Sequence, residues 1–170
     1  MARLNPPRPL AEDDELEYFD CGRESMNLWL RRHARRNHLH NISRTTVFNE
    51  RETGVMVGYV TLAAGQIERE FLPKKVRRDR PAALPVVLLG QLAIDRRFQG
   101  QGLAQQLLFY ALTTSMALSK EVGCFGVITH PLDDALRAFY AKYGFTELPG
   151  DPRRAMIVRI ADLEQSGFRF

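Results

Sequence analysis

Apolar positions in the first part of the chain follow a helical spacing. Met26, Trp29, Leu30 and His33 stand at i, i+3, i+4 and i+7, with arginines at neighbouring positions. This spacing predicts an amphipathic helix within residues 21–40 whose arginines face outward. His33 completes the apolar stripe, and we expect it to be a core residue.

Strand-like segments follow this helix. SRTTVF and GVMVGYVTLAA are rich in β-branched and aromatic residues, and the polar NERETG between them ends in glycine. They predict an antiparallel hairpin closed by a longer loop. Residues 72–85 hold three prolines and five basic residues without an apolar period. They predict a basic loop within a single domain rather than a linker.

The second half of the chain alternates buried strands with helices. VVLLGQLAI is almost continuously apolar, which predicts a central strand buried on both faces. A long helix over residues 102–118, a short strand in CFGVITH and a helix in DDALRAFYAKYG, ended by Gly144, follow. FTEL and AMIVRI are the last strand candidates. This order predicts one domain over residues 1–170, of the α/β class, with a mixed sheet and helices on both faces.

Length and composition fit that expectation. The chain has 170 residues, of which 45% are hydrophobic, as in packed globular domains. No stretch approaches the roughly 18 apolar residues of a membrane span, and the first ten residues lack the apolar region of a signal peptide. We therefore expect a soluble, cytoplasmic protein. Cys21 and Cys124 lack the spacing of a zinc site, so no metal is expected.

The basic residues are mostly arginine. The formal net charge is only +4, but four of the 24 basic residues are lysine and the other 20 are arginine. Several fall in the runs RRHARR and KKVRRDR. Arginine forks suit phosphate and nucleic acid, although such runs are also typical of solvated faces.

A turn at residues 95–102, here called the glycine turn, joins the predicted central strand to the long helix. The first N–H groups of a helix lack partners and the helix dipole is positive there, so this arrangement is typical of phosphate binding. No Lys-Ser or Lys-Thr follows the glycines, which excludes a Walker loop. A dinucleotide fingerprint fits poorly because Gln105 stands at the third glycine position. The alternative is a tight turn that needs positive φ at Gly100 and Gly102.

The remaining phosphate-binding design is Arg97-x-x-Gly100-x-Gly102 before a Leu- and Ala-rich helix. Here the sequence resembles the GNAT acetyltransferase superfamily, whose coenzyme A pyrophosphate loop reads Arg/Gln-x-x-Gly-x-Gly/Ala. AFYAKYGF, at residues 138–145, is similar to that superfamily's second signature. The resemblance implies the GNAT fold, a mostly antiparallel sheet with a central parallel strand pair that splays apart and helices on both faces.

Longer segments resemble the GNAT toxins of bacterial toxin–antitoxin operons. FDCGRESMNLWLRRHARRN, VGYVTLAAGQIERE, LPVVLLGQLAIDRRFQGQGLAQQLL and THPLDDALRAFYAKYGF carry this likeness, which covers most of residues 18–160. It implies an enzyme that moves the acetyl group of acetyl-CoA to the α-amine of aminoacyl-tRNA and so blocks translation. It also implies a ribbon-helix-helix antitoxin as partner and a homodimer.

The resemblance assigns the coenzyme site and a general acid. Backbone groups of Leu92 and Ile94 are expected to be unpaired and free to bind pantetheine. The pyrophosphate is expected to bind the backbone N–H groups of residues 99–104. Tyr140 stands where the family has its general acid, although its helical spacing with neighbouring aromatic residues also fits a core position. The implied coenzyme site comprises Leu92, Ala93, Ile94, Arg96, Arg97, Gln99, Gly100, Gln101, Gly102, Leu103 and Ala104.

The same resemblance gives the basic runs a candidate role. A tRNA acceptor arm presents phosphates on both sides of its aminoacyl end, and arginine and lysine clusters can hold it. The implied tRNA-binding residues are Arg32, Arg35, Arg36, Lys74, Lys75, Arg77, Arg78 and Arg80.

Two features of the site stay open. The four histidines are candidates for a general base on pKa grounds, and His130 is the one near the expected cleft. An aminoacyl ester amine can react without a base, because the ester lowers its pKa below that of an ordinary α-amino group. Gln91 stands where many relatives have arginine, which leaves substrate preference and activity undecided.

Two other functions compete with the toxin. One is an N-acetyltransferase acting on a small amine, an antibiotic or a protein N-terminus, and the arginine-rich first helix argues against it. The other is a non-catalytic binding or regulatory domain that keeps coenzyme or nucleic-acid recognition. Tyr140 together with an intact glycine turn argues against that domain.

Overall fold

A computed structural model describes residues 1–167 of the chain. The elements in chain order are β1 Arg8–Pro9, α1 Glu24–Trp29, α2 Arg35–Leu39, β2 Arg44–Asn49, β3 Met56–Glu68, α3 Lys74–Arg77, β4 Ala83–Ile94, α4 Leu103–Leu118, β5 Gly126–Thr129, α5 Asp134–Lys142, β6 Thr146–Glu147, β7 Met156–Arg159 and α6 Ile160–Gln165. The strands form one sheet in the order β1-β2-β3-β4-β5-β7-β6.

The sheet is mostly antiparallel, with one parallel pair. β4 and β5 run parallel, and their register ends at the pair Leu88 and Ile128. The pairs β1–β2, β2–β3, β5–β7 and β6–β7 are antiparallel. The mixed sheet, the hairpin of β2 and β3 and the central parallel pair expected from the sequence are therefore confirmed.

The first compact unit comprises residues 1–63 and 90–111. Its buried cluster joins the first helical segment to β2, β3 and the end of β4. Gly58 permits close approach within this unit, because a Cβ there would lie 2.5 Å from the Ala93 carbonyl oxygen. The members of the cluster are Leu10, Leu16, Phe19, Cys21, Met26, Leu30, Ala34, Val47, Met56, Tyr59 and Ala93.

The second compact unit comprises residues 64–89 and the chain from Leu112 onward. Its cluster of buried apolar side chains includes residues of β3, β4, β5 and β7. The members are Ile67, Leu72, Leu84, Val86, Ile128, Leu148, Ala155 and Ile157.

The expectation for His33 is wrong. Its side chain is exposed, and the buried stripe of the helical segment consists of Met26, Leu30 and Ala34. The reason is local geometry, because Leu30–Ala34 form a π-helical turn between α1 and α2. Such a turn holds more residues than an α-helical one and shifts which positions face the core.

The basic segment at residues 72–85 is less irregular than expected. It contains the short helix α3, and β4 begins at Ala83. The sequence pattern also missed β1 and α6. Among residues 1–167, none of the helices has both the length and the apolar composition needed to cross a bilayer.

Candidate active site

The glycine turn begins where β4 ends. Gly100 and Gly102 have φ of +79° and +76°, which side chains other than glycine rarely adopt. A Cβ at either position would meet nothing within 4 Å. The turn thus requires glycine for its backbone conformation, and its outer surface is open.

Unpaired backbone donors line this turn. Within residues 1–167, the structure gives no acceptor to the N–H groups of Gly100, Gln101 and Gly102. Leu103 and Ala104 are the first two residues of α4, a position where N–H groups have no partner inside the helix. Such donors at the positive end of a 16-residue helix favour an anion.

Asp95 holds the start of the turn. Its carboxylate accepts two bonds from the Arg97 guanidinium, Nε to Oδ1 at 2.9 Å and Nη2 to Oδ2 at 3.1 Å. The N–H groups of Arg97 and Asp20 donate to it as well. Burial opposes ionisation, but these hydrogen bonds outweigh it and lower the pKa of Asp95. Asp95 is 1% exposed, so its charge is held by specific partners.

Arg96 and Arg97 both lie at the turn, as expected, and each is already paired with a carboxylate. The Arg96 guanidinium lies 3.5 Å from Asp20, and the two side chains are 66% and 51% exposed. Hydrogen bonds from the Gly22 N–H and the Asn27 amide, together with Arg96, lower the pKa of Asp20. These ion pairs orient both guanidinium groups, which remain at the surface.

The expectation of an unpaired Ile94 backbone is wrong for its carbonyl. The Gln99 side-chain amide donates to the carbonyl oxygens of Ile94 and Cys21, each at 2.9 Å. Gln99 thus ties the turn to the end of β4. Leu92, Ala93 and Ile94 are buried and lie beyond Leu88, the last β4 residue paired with β5. A carbonyl oxygen has two lone pairs, so Ile94 can still accept a second donor.

Tyr140 lies in α5 and is 4% exposed. Its ring makes edge-to-face contacts with Phe139 and Phe145, both with centroids 5.2 Å apart. Burial raises the pKa of Tyr140 to about 12, and a hydrogen bond with Thr129 opposes that shift. The phenol is therefore protonated at neutral pH, as a general acid must be, while its packing also fits a core aromatic residue.

The histidines differ in their surroundings. Burial and Arg153 lower the pKa of His130, against the effect of Asp151, whose Oδ2 lies 3.9 Å from Nε2. His130 is therefore neutral at physiological pH. His38 uses Nδ1 to accept the Thr45 N–H at 3.0 Å. His33 and His40 are exposed.

The two basic groups lie in different units. Arg32, Arg35 and Arg36 are exposed in the first unit. The second group belongs to the second unit and is exposed apart from Arg77, whose Nε donates to the Leu72 carbonyl at 2.7 Å. The members of this group are Lys74, Lys75, Arg77, Arg78 and Arg80.

Sequence reasoning missed the roles of Asp20 and Asp95. The charged residues occur in ordinary polar contexts, so only the fold reveals their partners. Gln91 carries a buried side-chain oxygen that has no hydrogen-bond partner among the described residues. The described residues hold no group of three or more side chains suited to a metal ion.

Residues 43–147 match the acetyltransferase (GNAT) domain family. The chain is 34% identical over 158 residues to the tRNA-acetylating toxin of Mycobacterium tuberculosis (strain ATCC 25618 / H37Rv), covering 93% of this chain and 94% of the toxin.

Solved structures agree with this similarity. AtaT complexed with acetyl-methionyl-tRNAfMet superposes with a TM-score of 0.88 at 32% identity, over 97% of this chain and 99% of AtaT. A tyrosine-to-phenylalanine mutant of AtaT, bound to the C-terminus of the antitoxin AtaR and acetyl-CoA, gives a TM-score of 0.81 at 30% identity. That match covers 98% of this chain and 99% of AtaT.

Proposed function

This chain belongs to the GNAT acetyltransferase family, and we propose that it moves the acetyl group of acetyl-CoA to the α-amine of aminoacyl-tRNA and so blocks translation. The observation that carries this proposal is the similarity to a tRNA-acetylating toxin over 93% of the chain. The family match includes residues of both compact units, which supports treating residues 1–170 as one domain.

The glycine turn is the proposed site for the coenzyme diphosphate. Its open outer surface and unpaired N–H groups fit a phosphate that approaches the backbone closely. Arg96 and Arg97 are oriented beside it by Asp20 and Asp95. The buried strand end at Leu92, Ala93 and Ile94 is proposed to bind pantetheine through its backbone.

Tyr140 is the proposed general acid for the leaving thiol. With a pKa of about 12 for the phenol and about 8.5 for a thiol, protonating a fully formed thiolate is uphill by roughly 5 kcal/mol. The proton must therefore move while the carbon–sulfur bond breaks, or the phenolate must be stabilised as it forms. The relative AtaT was solved with acetyl-CoA as a tyrosine-to-phenylalanine mutant, which supports a functional tyrosine in this group of proteins.

The exposed basic residues are the proposed tRNA contacts. Arg32, Arg35 and Arg36 present their charges in the first unit, and Lys74 and Lys75 do so in the second. Arginine and lysine contacts to phosphates release counterions, so acetylation of tRNA is expected to weaken as salt rises.

An antitoxin is the proposed regulatory partner. AtaT was solved with the C-terminus of its antitoxin AtaR, which supports an antitoxin for this chain. We infer that this partner carries a ribbon-helix-helix domain and that the toxin is a homodimer. The tail of the antitoxin is expected to cover basic surface of the toxin near the coenzyme site.

Expression of the chain in bacteria without a partner tests this function. We expect growth arrest with wild type and normal growth with Tyr140→Phe, because loss of a general acid typically costs about 10²–10⁴-fold in rate. Immunoblots must show equal amounts of both proteins. Harmless expression of wild type would favour a small-molecule acceptor or a non-catalytic domain, and equal arrest by the variant would remove Tyr140 from the mechanism.

A further inference from the structure

The chain segment before β1 reaches the glycine turn. The Ala2 N–H donates to the side-chain oxygen Oε1 of Gln101 at 2.8 Å, and both residues are half-buried. The two residues are far apart in the sequence but belong to the same compact unit. Residues 2–5, here called the brace, are therefore joined to the middle of the turn, between Gly100 and Gly102.

The brace is also fixed at its other end. The Asn5 N–H donates to the Asn49 carbonyl oxygen at 2.9 Å, and the Arg51 N–H donates to the Arg3 carbonyl oxygen at 2.7 Å. These bonds attach the brace to the end of β2 and to the loop that follows it. Because β1 pairs antiparallel with β2, the brace extends that pairing and holds Ala2 beside the turn.

Gln101 is the side chain by which the middle of the turn can be held. Gly100 and Gly102 have no side chains, both have positive φ, and their N–H groups have no acceptor among residues 1–167. Glycine loses more conformational freedom on ordering than any other residue, so a stretch with two glycines is unfavourable to order. The hydrogen bond from the brace supplies a restraint that the glycines themselves do not.

A binding surface that is ordered before its ligand arrives binds more tightly, because less conformational entropy is lost on binding. We propose that Ala2 and Gln101 are positioning residues, through which the brace holds the glycine turn in its binding conformation in the free protein. The side chain of Gln101 anchors the turn, and its backbone N–H is one of the donors to the coenzyme. This inference rests on the proposed binding of the coenzyme diphosphate at the turn.

Removing the acceptor of this hydrogen bond tests the proposal. Gln101→Met keeps a side chain of similar length and loses the oxygen. We expect the dissociation constant for acetyl-CoA, measured by calorimetry, to rise by about 3- to 10-fold. Gln106→Met is the matched control, because Gln106 is an exposed glutamine in the first turn of α4. It should bind acetyl-CoA like wild type.

Nuclear magnetic resonance measures the ordering itself. Order parameters of the Gly100 and Gly102 N–H groups should lie near the rigid value of about 0.85 in the free wild-type protein. In free Gln101→Met they should fall below about 0.6, and they should recover when acetyl-CoA is bound. A merely structural loss of stability would not confine the change to these two glycines.

Removing the donor tests the same bond from its other side. Ala2→Pro deletes the N–H, and Ala2→Gly keeps it as the control. Met1 is 92% exposed, so a short tag can precede it and keep residue 2 within a peptide bond. Ala2→Pro should weaken acetyl-CoA binding as much as Gln101→Met. The double variant should lose no more than either single one, because both remove one bond.

The outcomes separate this inference from the proposed function. A dissociation constant for Gln101→Met within twofold of wild type, or unchanged order parameters of the two glycines, would overturn the role of the brace. Additive losses in the double variant would also overturn it, because Ala2 would then act elsewhere. Binding of acetyl-CoA does not depend on the acceptor, so the test holds whether or not aminoacyl-tRNA is the substrate. Unchanged affinity in Gly102→Glu would instead contradict the proposed diphosphate site, and the order parameters would still show whether the brace orders the turn.

Discussion

At the scale of single residues, the Asp95 carboxylate determines how the glycine turn starts. In the sequence, IDRR reads as a charged segment after a strand, and nothing distinguishes this aspartate from an exposed one. The fold buries it and surrounds it with donors from Arg97 and Asp20. Arg97 stands next but one to Asp95, but Asp20 is 75 residues away along the chain, and the pattern around one position reveals neither that partner nor the burial of Asp95.

Replacing Asp95 tests that role. Asp95→Asn removes the charge from a buried group with four donors, and we expect a loss of about 1–3 kcal/mol in the free energy of unfolding. Asp162→Asn is the matched control, because Asp162 binds Arg159 through the same bidentate fork at an exposed site. It should cost at most about 1 kcal/mol. Urea unfolding at neutral pH measures the free energy of unfolding of both variants. Equal losses of stability in the two variants would show that Asp95 has no special role.

The pH dependence of this effect has a defined sign. The pKa of Asp95 is lowered on folding, so its contribution to stability is present above its ordinary value of 3.8. It is lost as pH falls through the lower value of the folded state. The stability difference between wild type and Asp95→Asn should therefore shrink in acid. A difference that grows as pH falls below 3.8 would contradict this account.

At the scale of elements, the apolar period and the length of each helix or strand decided whether it could be predicted from the sequence. α4 and α5 were predicted closely because each has a long apolar period, and α5 ends before Gly144 with φ of +94°. β1 has two residues, too few to show a period, and was missed, whereas the two residues of β6 lie within the predicted strand FTEL. The π-helical turn at Leu30–Ala34 holds an extra residue, which the spacing of apolar residues does not predict. This explains why His33 was wrongly expected to face the core.

The glycine turn gives the sharpest prediction for an element. Gly102→Glu places a side chain and a negative charge beside the proposed diphosphate site, so acetyl-CoA affinity should fall by at least about tenfold, or ~1.4 kcal/mol. Gly54→Glu is the matched control, because Gly54 also has positive φ, at +72°, and open space around its Cα. Both variants should lose about 1–2 kcal/mol of stability through backbone strain.

Calorimetric titration with acetyl-CoA separates strain from binding. Gly54→Glu should bind like wild type, and Gly102→Glu should not. Unchanged affinity in Gly102→Glu would place the diphosphate elsewhere. Equal losses of affinity in both variants would attribute the effect to general destabilisation by backbone strain rather than to the binding surface of the turn.

At the scale of the whole molecule, the fold class and the family could be predicted before any coordinates. The order of elements indicated a mixed sheet, and the resemblance carried by the motif Arg97-x-x-Gly100-x-Gly102 implied a GNAT sheet with a parallel pair, which the topology confirms. Hydrogen bonds between residues distant in the sequence could not be predicted, as the bonds from Gln99 to Cys21 and from Thr129 to Leu89 show. They depend on chain segments that only folding brings together.

Mass spectrometry of tRNA ends tests the central claim most directly. Total aminoacylated bacterial tRNA is incubated with acetyl-CoA and either wild type or Tyr140→Phe, digested with ribonuclease, and searched for N-acetylated aminoacyl-adenosine. The account predicts this species for at least one amino acid with wild type and very little with the variant. Its absence for every amino acid, in a protein preparation that binds acetyl-CoA, would contradict the claim that aminoacyl-tRNA is the acceptor.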